Sequence, residues 1–234
     1  RRYLRDFLWD RRVVDLPRPL WWVILNGVIL PFRPRTSARL YRKIWTSDGS
    51  PLLLTSLKQA KAIEGALNAD PNAPFAVSLG MRYGTPSILQ ALRELRAREC
   101  NPLIVLPMFP QYCSATTAAI FDAVAAEVAR WRVVPEMHFI SRYHDETGYT
   151  GALGSSIRQF WKENGEPERL LFSFHGTPAR FRADGDPYFW ECHHTARCVA
   201  TDLSLRTDRW QVAFQSRFGR GEWLKPYTVE VLQE

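Results

Sequence analysis

Cysteine is scarce in this chain: Cys100, Cys113, Cys192 and Cys198 are the only four among 234 residues, and no two form a C-x-x-C pair. So few excludes a disulfide scaffold, shows no iron–sulfur cluster spacing, and makes a reducing cytoplasm the expected compartment. Long apolar runs are also missing. The nearest approach to one, LWWVILNGVIL at residues 20–30, falls far short of the roughly 20 apolar residues that a bilayer crossing needs. The opening RRYLRDFLWDRR has no apolar h-region and no small-residue cleavage site, so it does not read as a signal peptide. No G-x-G-x-x-G follows a predicted strand, and there is no G-x-x-x-x-G-K-[ST], which removes the usual nucleotide sites. G-x-S-x-G is absent too, and with it the common hydrolase elbow. No repeat and no low-complexity tract appears.

What is present is an ordinary globular composition, 46% hydrophobic and 24% charged, in a length that suits one large domain or two small ones. Basic residues outnumber acidic ones, 31 to 24, for a net charge of +7, which welcomes acidic ligands and surfaces without choosing among them. The basic residues are scattered and no stacking motif interleaves them, so nucleic acid is not an expected partner. The segment 20–30 is unusual in having adjacent Trp21 and Trp22 and arginines on both flanks, Arg11, Arg12 and Arg18 before it and Arg33, Arg35 and Arg39 after it. Such a patch suits a helix dipping into a membrane interface or the mouth of a pocket, and equally a core helix with basic ends.

Apolar periodicity predicts helices at residues 1–8, 37–44, 57–67, 87–98, 116–131, 149–164 and 188–203. Strands are predicted at 75–79, 103–106 (LIVL), 137–140, 170–174 (LLFSF) and 210–215. The regular alternation from residue 75 onward, with strands apolar at every position, predicts an α/β chain of doubly wound parallel sheets covered on both faces. The polar stretch SRYHDETG at 141–148 is the expected boundary between an N-terminal α/β lobe, 1–141, and a second lobe, 142–234. A ligand cleft is expected outside the carboxyl ends of the strands. With only two strands the second lobe reads as truncated, and the chain as a piece of a longer one.

His175 stands out at the carboxyl end of LLFSF, where Gly176-Thr177-Pro178 ends the strand. A histidine at a crevice can accept a proton or offer a nitrogen to a divalent metal. Cys192, His193, His194 and Cys198 raise a zinc reading, but their spacing fits no standard finger. Two cysteines six apart on a helix face different ways, so a packed or solvated helix face is expected instead. Residues 109–117, FPQYCSATT, open a helix and leave two readings: an anion site at its free N–H groups, or plain capping by Thr116.

Four motifs in this order, LPMFPQYCSATT, FSFHGTP, GDPY (185–188) and FQSRFGRGEWLKPYT (214–228), resemble those of ferrochelatases, which insert ferrous iron into protoporphyrin IX. RRYLRDFL, RRVVDLPR, ILPFR, GSPL (49–52) and MRYGTPS (81–87) add to the resemblance, which covers essentially the whole chain. It implies two chelatase-like α/β lobes gripping a porphyrin, with His175 as the essential histidine, serving as proton acceptor or iron ligand. It further implies that Met81, Arg82 and Tyr83 face the porphyrin or its propionates, that Phe109 lines the pocket, and that Trp223 closes it. The stretch around Trp21 and Trp22 matches the family's hydrophobic lip, so it is expected to be a membrane-touching lip and not a core helix. Protoporphyrin IX and ferrous iron are the implied substrates, no cofactor is expected beyond the iron itself, and the expected location is cytoplasmic with peripheral contact to the inner membrane. Ala115 stands where many relatives have serine. The family also has an opening strand with an N-L-G-T-P-like turn and an acidic residue beyond W-L-x-P, neither matched here, since Glu230 and Glu234 come too early. A porphyrin-binding module without catalysis, or a chelatase for cobalt or nickel, are the alternative readings.

Overall fold

The computed structural model describes every residue except 71, 73, 218, 220 and 234, and only the backbone of residue 36. The chain divides into two compact units, Arg1–Val105 with Ala118–Phe139, and Leu106–Thr117 with Ile140–Glu234.

In the first unit, α1 (Arg2–Trp9), α2 (Arg18–Ile24) and α3 (Leu30–Arg42) come first, with a π-turn at Leu25–Ile29 joining the last two. Trp21, Leu25 and Leu30 bury against Leu8. The π-turn, whose Leu30 N–H reaches the Leu25 carbonyl, spaces those residues five apart and so returns Leu30 to the buried stripe. Trp21 is 6% exposed, and its indole N–H donates to the Leu8 carbonyl at 2.7 Å. That oxygen belongs to the last turn of α1, where a helix cannot satisfy its own carbonyls. The other face carries Leu20, Trp22, Val23, Val28 and Phe32, all exposed, with Trp22 at 57% and Phe32 at 72%. The expectation of a lip instead of a core helix is therefore corrected for Trp21: the segment buries one face and exposes the other, because consecutive helical residues point about 100° apart. Helix α3 also starts earlier than residue 37; Pro31 fits a first helical turn, and Pro34 costs one hydrogen bond near that start.

Helix α4 (Pro51–Leu67) leads into residues 74–80, which form no ladder, contrary to the predicted strand at 75–79. The hydrogen bonds of this segment go to side chains. Asn68 brackets Phe75, accepting from its N–H at 2.7 Å and donating to its carbonyl at 3.0 Å, while the Val77 N–H reaches the Glu64 carboxylate at 3.4 Å. Three backbone groups of this apolar segment are thus bonded to side chains instead of a neighbouring strand. Helix α5 (Ile88–Ala97) opens with a capping box between Ser87 and Gln90, the reciprocal pairing that stabilises helix starts.

Strands β1 (Leu103–Val105) and β2 (Met137–Phe139) pair in parallel, Leu103 opposite Met137, with α6 (Ala119–Val128) between them in sequence. Leu103 joins Ile88, Leu92, Val124, Val128 and Trp131 in one core beneath α5 and α6. Ile104, pointing the other way, is 51% exposed. LIVL is accordingly not the fully buried strand expected, since helices cover one of its two faces.

The second unit is built on β3 (Leu170–His175) and β4 (Trp210–Gln215), again parallel, in a register running from Leu170–Trp210 to His175–Gln215. Helix α7 (Thr147–Asn164) precedes β3. The short α8 (Ala179–Ala183) and then α9 (Tyr188–Asp202) form the crossover, and α10 (Thr228–Val231) follows β4. Phe172 and Phe174 pack with Val212, Phe214, Cys192, Ala196 and Leu224, while Ser173 and His175, two apart on the other face, are exposed. LLFSF thus alternates and is not buried throughout.

Residues 106–117 belong to this second unit, an excursion that a single division at 141/142 does not contain. Side chains of α9 and its approach explain it. Gln111 donates to the Thr195 hydroxyl at 2.9 Å, the Tyr112 N–H to Glu191 at 2.6 Å, and the Ser114 N–H to Asp186 at 2.7 Å. The class anticipated from alternation, α/β with parallel pairing, is what both units display.

Candidate active site

Strand β3 ends in His175, and its parallel ladder continues one step further, the Gly176 N–H donating to the Gln215 carbonyl at 2.7 Å. A glycine is needed there. A Cβ would stand 2.9 Å from that carbonyl oxygen and 3.4 Å from the Trp223 ring, and the former is backbone that cannot step aside. The turn is then laced to the segment after β4: the Leu224 N–H donates to the Thr177 carbonyl at 3.0 Å, and the Ala179 N–H to the Glu222 carbonyl at 2.9 Å. Trp223, also flagged by sequence, is thereby brought against Gly176, the residue that follows His175.

Among the described residues the His175 ring makes one hydrogen bond, Nδ1 to the Gly176 carbonyl at 2.7 Å. A carbonyl only accepts, so Nδ1 carries the hydrogen and the neutral ring has its free lone pair on Nε2. An exposed side chain at a strand's carboxyl end, with one nitrogen fixed and the other open, can take a proton or coordinate a cation, but not both at once. Phe109 lies in the same unit, 43% exposed, just before Pro110, whose carbonyl accepts from the Tyr143 N–H at 2.9 Å.

Met81, Arg82 and Tyr83 occupy the first unit. Met81 begins a tight return: its N–H donates to the Pro86 carbonyl at 2.8 Å, and its carbonyl accepts from Ile88 at 3.3 Å. A Cβ on neighbouring Gly80 would lie 2.9 Å from the Ile88 Cα. Arg82 and Tyr83 converge on Asp10, whose side chain is largely covered, Arg82 by a short ion pair and the Tyr83 hydroxyl by a hydrogen bond of 2.8 Å to the same oxygen. Burial, seconded by the Asp10 bond and charge, pushes the Tyr83 hydroxyl pKa well up, so it remains a donor. The Arg82 guanidinium also covers the Tyr83 ring at 4.7 Å, and its buried Nε has no hydrogen-bond partner among the described residues. Asp10 was not singled out from sequence; its partners lie more than seventy residues away, and nothing local marks it.

The tract 109–117 does hold an anion, but that anion is the chain's own. Asp186 of the GDPY motif accepts from Ser114 N–H through one oxygen and from Tyr188 N–H through the other at 3.0 Å. Thr116 caps nothing; its hydroxyl donates to the Cys113 carbonyl at 3.4 Å. Burial, with Asp186 nearby, pushes the Cys113 thiol up to about 12, and burial likewise raises Cys192. Cys192 sits in the core, while His193 faces the Phe189 ring at 4.5 Å. His194 turns instead toward His144, so the cysteine–histidine tetrad does not converge.

Comparison with known proteins agrees with these motifs. The family model described as Ferrochelatase matches residues 1–234. A ferrochelatase of Nitrosococcus oceani is 52% identical over 233 residues, covering 100% of this chain and 63% of that protein. One of Thioalkalivibrio sulfidiphilus is 49% identical, covering 97% and 62%, and one of Methylobacillus flagellatus 48%, covering 100% and 68%. The chain thus spans somewhat under two thirds of the first two of these relatives. With a match that runs from its first residue to its last and half its positions identical, this chain belongs to the ferrochelatase family.

Proposed function

We propose that the chain carries its family's metal-inserting chemistry, placing ferrous iron in protoporphyrin IX and releasing the two pyrrole protons. The observation that supports this most directly is His175, whose Nδ1 is tied to the Gly176 carbonyl. Fe2+ brings two positive charges and two N–H protons leave, so the macrocycle stays neutral provided something accepts those protons. Nε2 of His175 has one free lone pair and so accepts one proton at a time, handing the first to water before the second leaves. The same lone pair could bind iron, and because Nδ1 is occupied the two events must be sequential. Imidazole binds Fe2+ more weakly than Cu2+, so metal choice rests on supply and release more than on affinity.

Trp223 and Phe109 are proposed as apolar surfaces for the porphyrin, and Met81, Arg82 and Tyr83 as its further contacts. Arg82 would offer a propionate the N–H groups that Asp10 leaves free, and Asp10 would keep the guanidinium in one place, which lowers the ordering cost of such a contact. No helix among the described residues is long and apolar enough to cross a membrane. We propose peripheral attachment from the cytoplasm, through the exposed ridge of Leu20, Trp22, Val23, Val28 and Phe32 with its neighbouring arginines.

The test is His175→Ala, assayed by zinc and ferrous insertion into protoporphyrin IX in this chain and in a form extended to its relatives' length. Loss of a proton acceptor typically lowers the rate 10²–10⁴-fold, and porphyrin binding, followed by fluorescence, should persist. A variant retaining more than about a tenth of the parent rate refutes the role.

A further inference from the structure

His144, Asp145 and His194 form a cluster that nothing above employs. His144 and Asp145 lie in the turn before α7, and His194 lies in the middle of α9. The Thr195 hydroxyl, itself buried, donates to the His144 carbonyl at 2.7 Å and so pins the turn onto α9 beside His194. One ligand-type atom from each of the three residues falls within 4.8 Å of the others. We propose that these three side chains bind a divalent transition-metal cation.

The spacing is that of a coordination shell. His144 Nε2 and His194 Nδ1 are 3.2 Å apart, and two nitrogens each about 2.0–2.1 Å from a tetrahedral ion stand roughly 3.4 Å apart. An oxygen of Asp145 is 3.8 Å from His194 Nδ1. A second, independent observation concerns His144 itself, only 8% exposed. Its Nδ1 is buried and has no hydrogen-bond partner among the described residues, yet it faces an oxygen of Asp145 at 3.6 Å and one of Glu191 at 3.7 Å. Both nitrogens of a buried ring therefore look into the cluster, one toward a second imidazole and one toward carboxylates. A hydrogen on Nδ1, facing the Glu191 carboxylate across 3.7 Å, leaves Nε2 with its lone pair toward the ion. Arg142 pairs with the other Glu191 oxygen at 2.8 Å, so Asp145 is the carboxylate left to balance the ion's charge.

Two imidazoles and one carboxylate suit Fe2+, Co2+, Ni2+ or Zn2+ better than Mg2+ or Ca2+, which prefer oxygen throughout. Asp145 and His194 are partly exposed, so solvent reaches the ion and fills its remaining positions. Such a site exchanges its metal freely. The inference requires nothing of the activity proposed above.

Co2+ is the probe, because its visible d–d bands report coordination by nitrogen and oxygen. The chain is titrated with His175→Ala in place, which removes that histidine as a competing donor and separates this inference from the function proposed for it. Expected are saturable uptake with visible bands and paramagnetic broadening of the His144 and His194 ring resonances. Asp145→Asn and His194→Gln should each weaken uptake at least about tenfold while circular dichroism is unchanged. Absence of saturable uptake overturns the proposal, as does uptake that broadens neither ring or that both variants leave intact. The broadening needs only the His175→Ala protein, so it decides the matter even where a cluster variant fails to fold.

Discussion

Trp21 and Trp22 are neighbours in sequence with opposite environments, so single substitutions at the two positions should do different things. Trp21→Ala removes a side chain packed on Leu8, Leu25 and Leu30 and the indole N–H that satisfies the Leu8 carbonyl. Truncation of a buried tryptophan costs about 3–5 kcal/mol, and the orphaned carbonyl contributes to that figure unless water reaches it. At about 2–4 °C per kcal/mol for a chain of this size, the melting temperature should fall by on the order of 10 °C. Trp22→Ala touches a side chain already more than half in water and should change stability by no more than about 0.5 kcal/mol. Its effect belongs to membrane attachment. Together with Phe32→Ser it removes apolar surface worth roughly 1.5–3 kcal/mol per side chain when buried, or about a 10–100-fold loss in partitioning for each. Calorimetry and sedimentation with phosphatidylcholine–phosphatidylglycerol vesicles measure both quantities. Equal melting temperatures for the Trp21 and Trp22 variants would refute the two-faced helix, and unchanged partitioning of the Trp22/Phe32 variant would refute the ridge as the attachment surface.

Asn68→Ala should release Phe75 from its bracket of two hydrogen bonds, costing about 1–3 kcal/mol and speeding amide exchange at residue 75 far more than in α5; equal protection in parent and variant contradicts the clamp. His193 has its pKa lowered first by burial and then by the Arg182 charge, so the unfolded chain binds a proton there that the folded chain resists. Its contribution is thus fully present above about pH 6.5 and is lost as pH falls below that value. Urea midpoints at about pH 7 and pH 5.5 should differ less in His193→Gln than in the parent, and an identical difference rules the histidine out.

Some of this structure is legible in sequence because the signals are local. The parallel strands at 103–105 and 170–175 announce themselves by short apolar runs, and His175 by a strand that stops at Gly-Thr-Pro. Burial is less legible, because an apolar strand looks alike whether one face or both are covered; Leu103 and Ile104 have the same character and opposite fates. The segment at 75–79 has a strand's composition, but it pairs with no strand among the described residues, and Asn68 and Glu64 bond the backbone of Phe75 and Val77. Helix phase is not legible at Leu30, because a π-turn at Leu25–Ile29, invisible in composition, resets the stripe by one residue.

The site residues follow the same division. His175 and Gly176, which a strand end and its turn position, can be found by motif, since their geometry follows from a few neighbouring residues; Trp223 is marked by its own W-L-x-P motif, but bonds from the distant turn at 177–179 to its neighbours place it. Those that act through a distant partner cannot be found by motif. Arg82 is fixed by Asp10, seventy-two residues earlier, and His144 meets His194 fifty residues later. In sequence His194 reads with Cys192 and Cys198, its neighbours on the helix, but a helix sends such residues to different sides. Glu191 and His194, three apart on α9, reach the turn at 144–145, while Cys192 enters the core. The grouping that matters chemically is set by helix phase and by the Thr195 bond that docks the turn. A metal reading of this region therefore fails for Cys192 and His193, and the proposed site draws only His194 from this helix, with His144 and Asp145 from the docked turn.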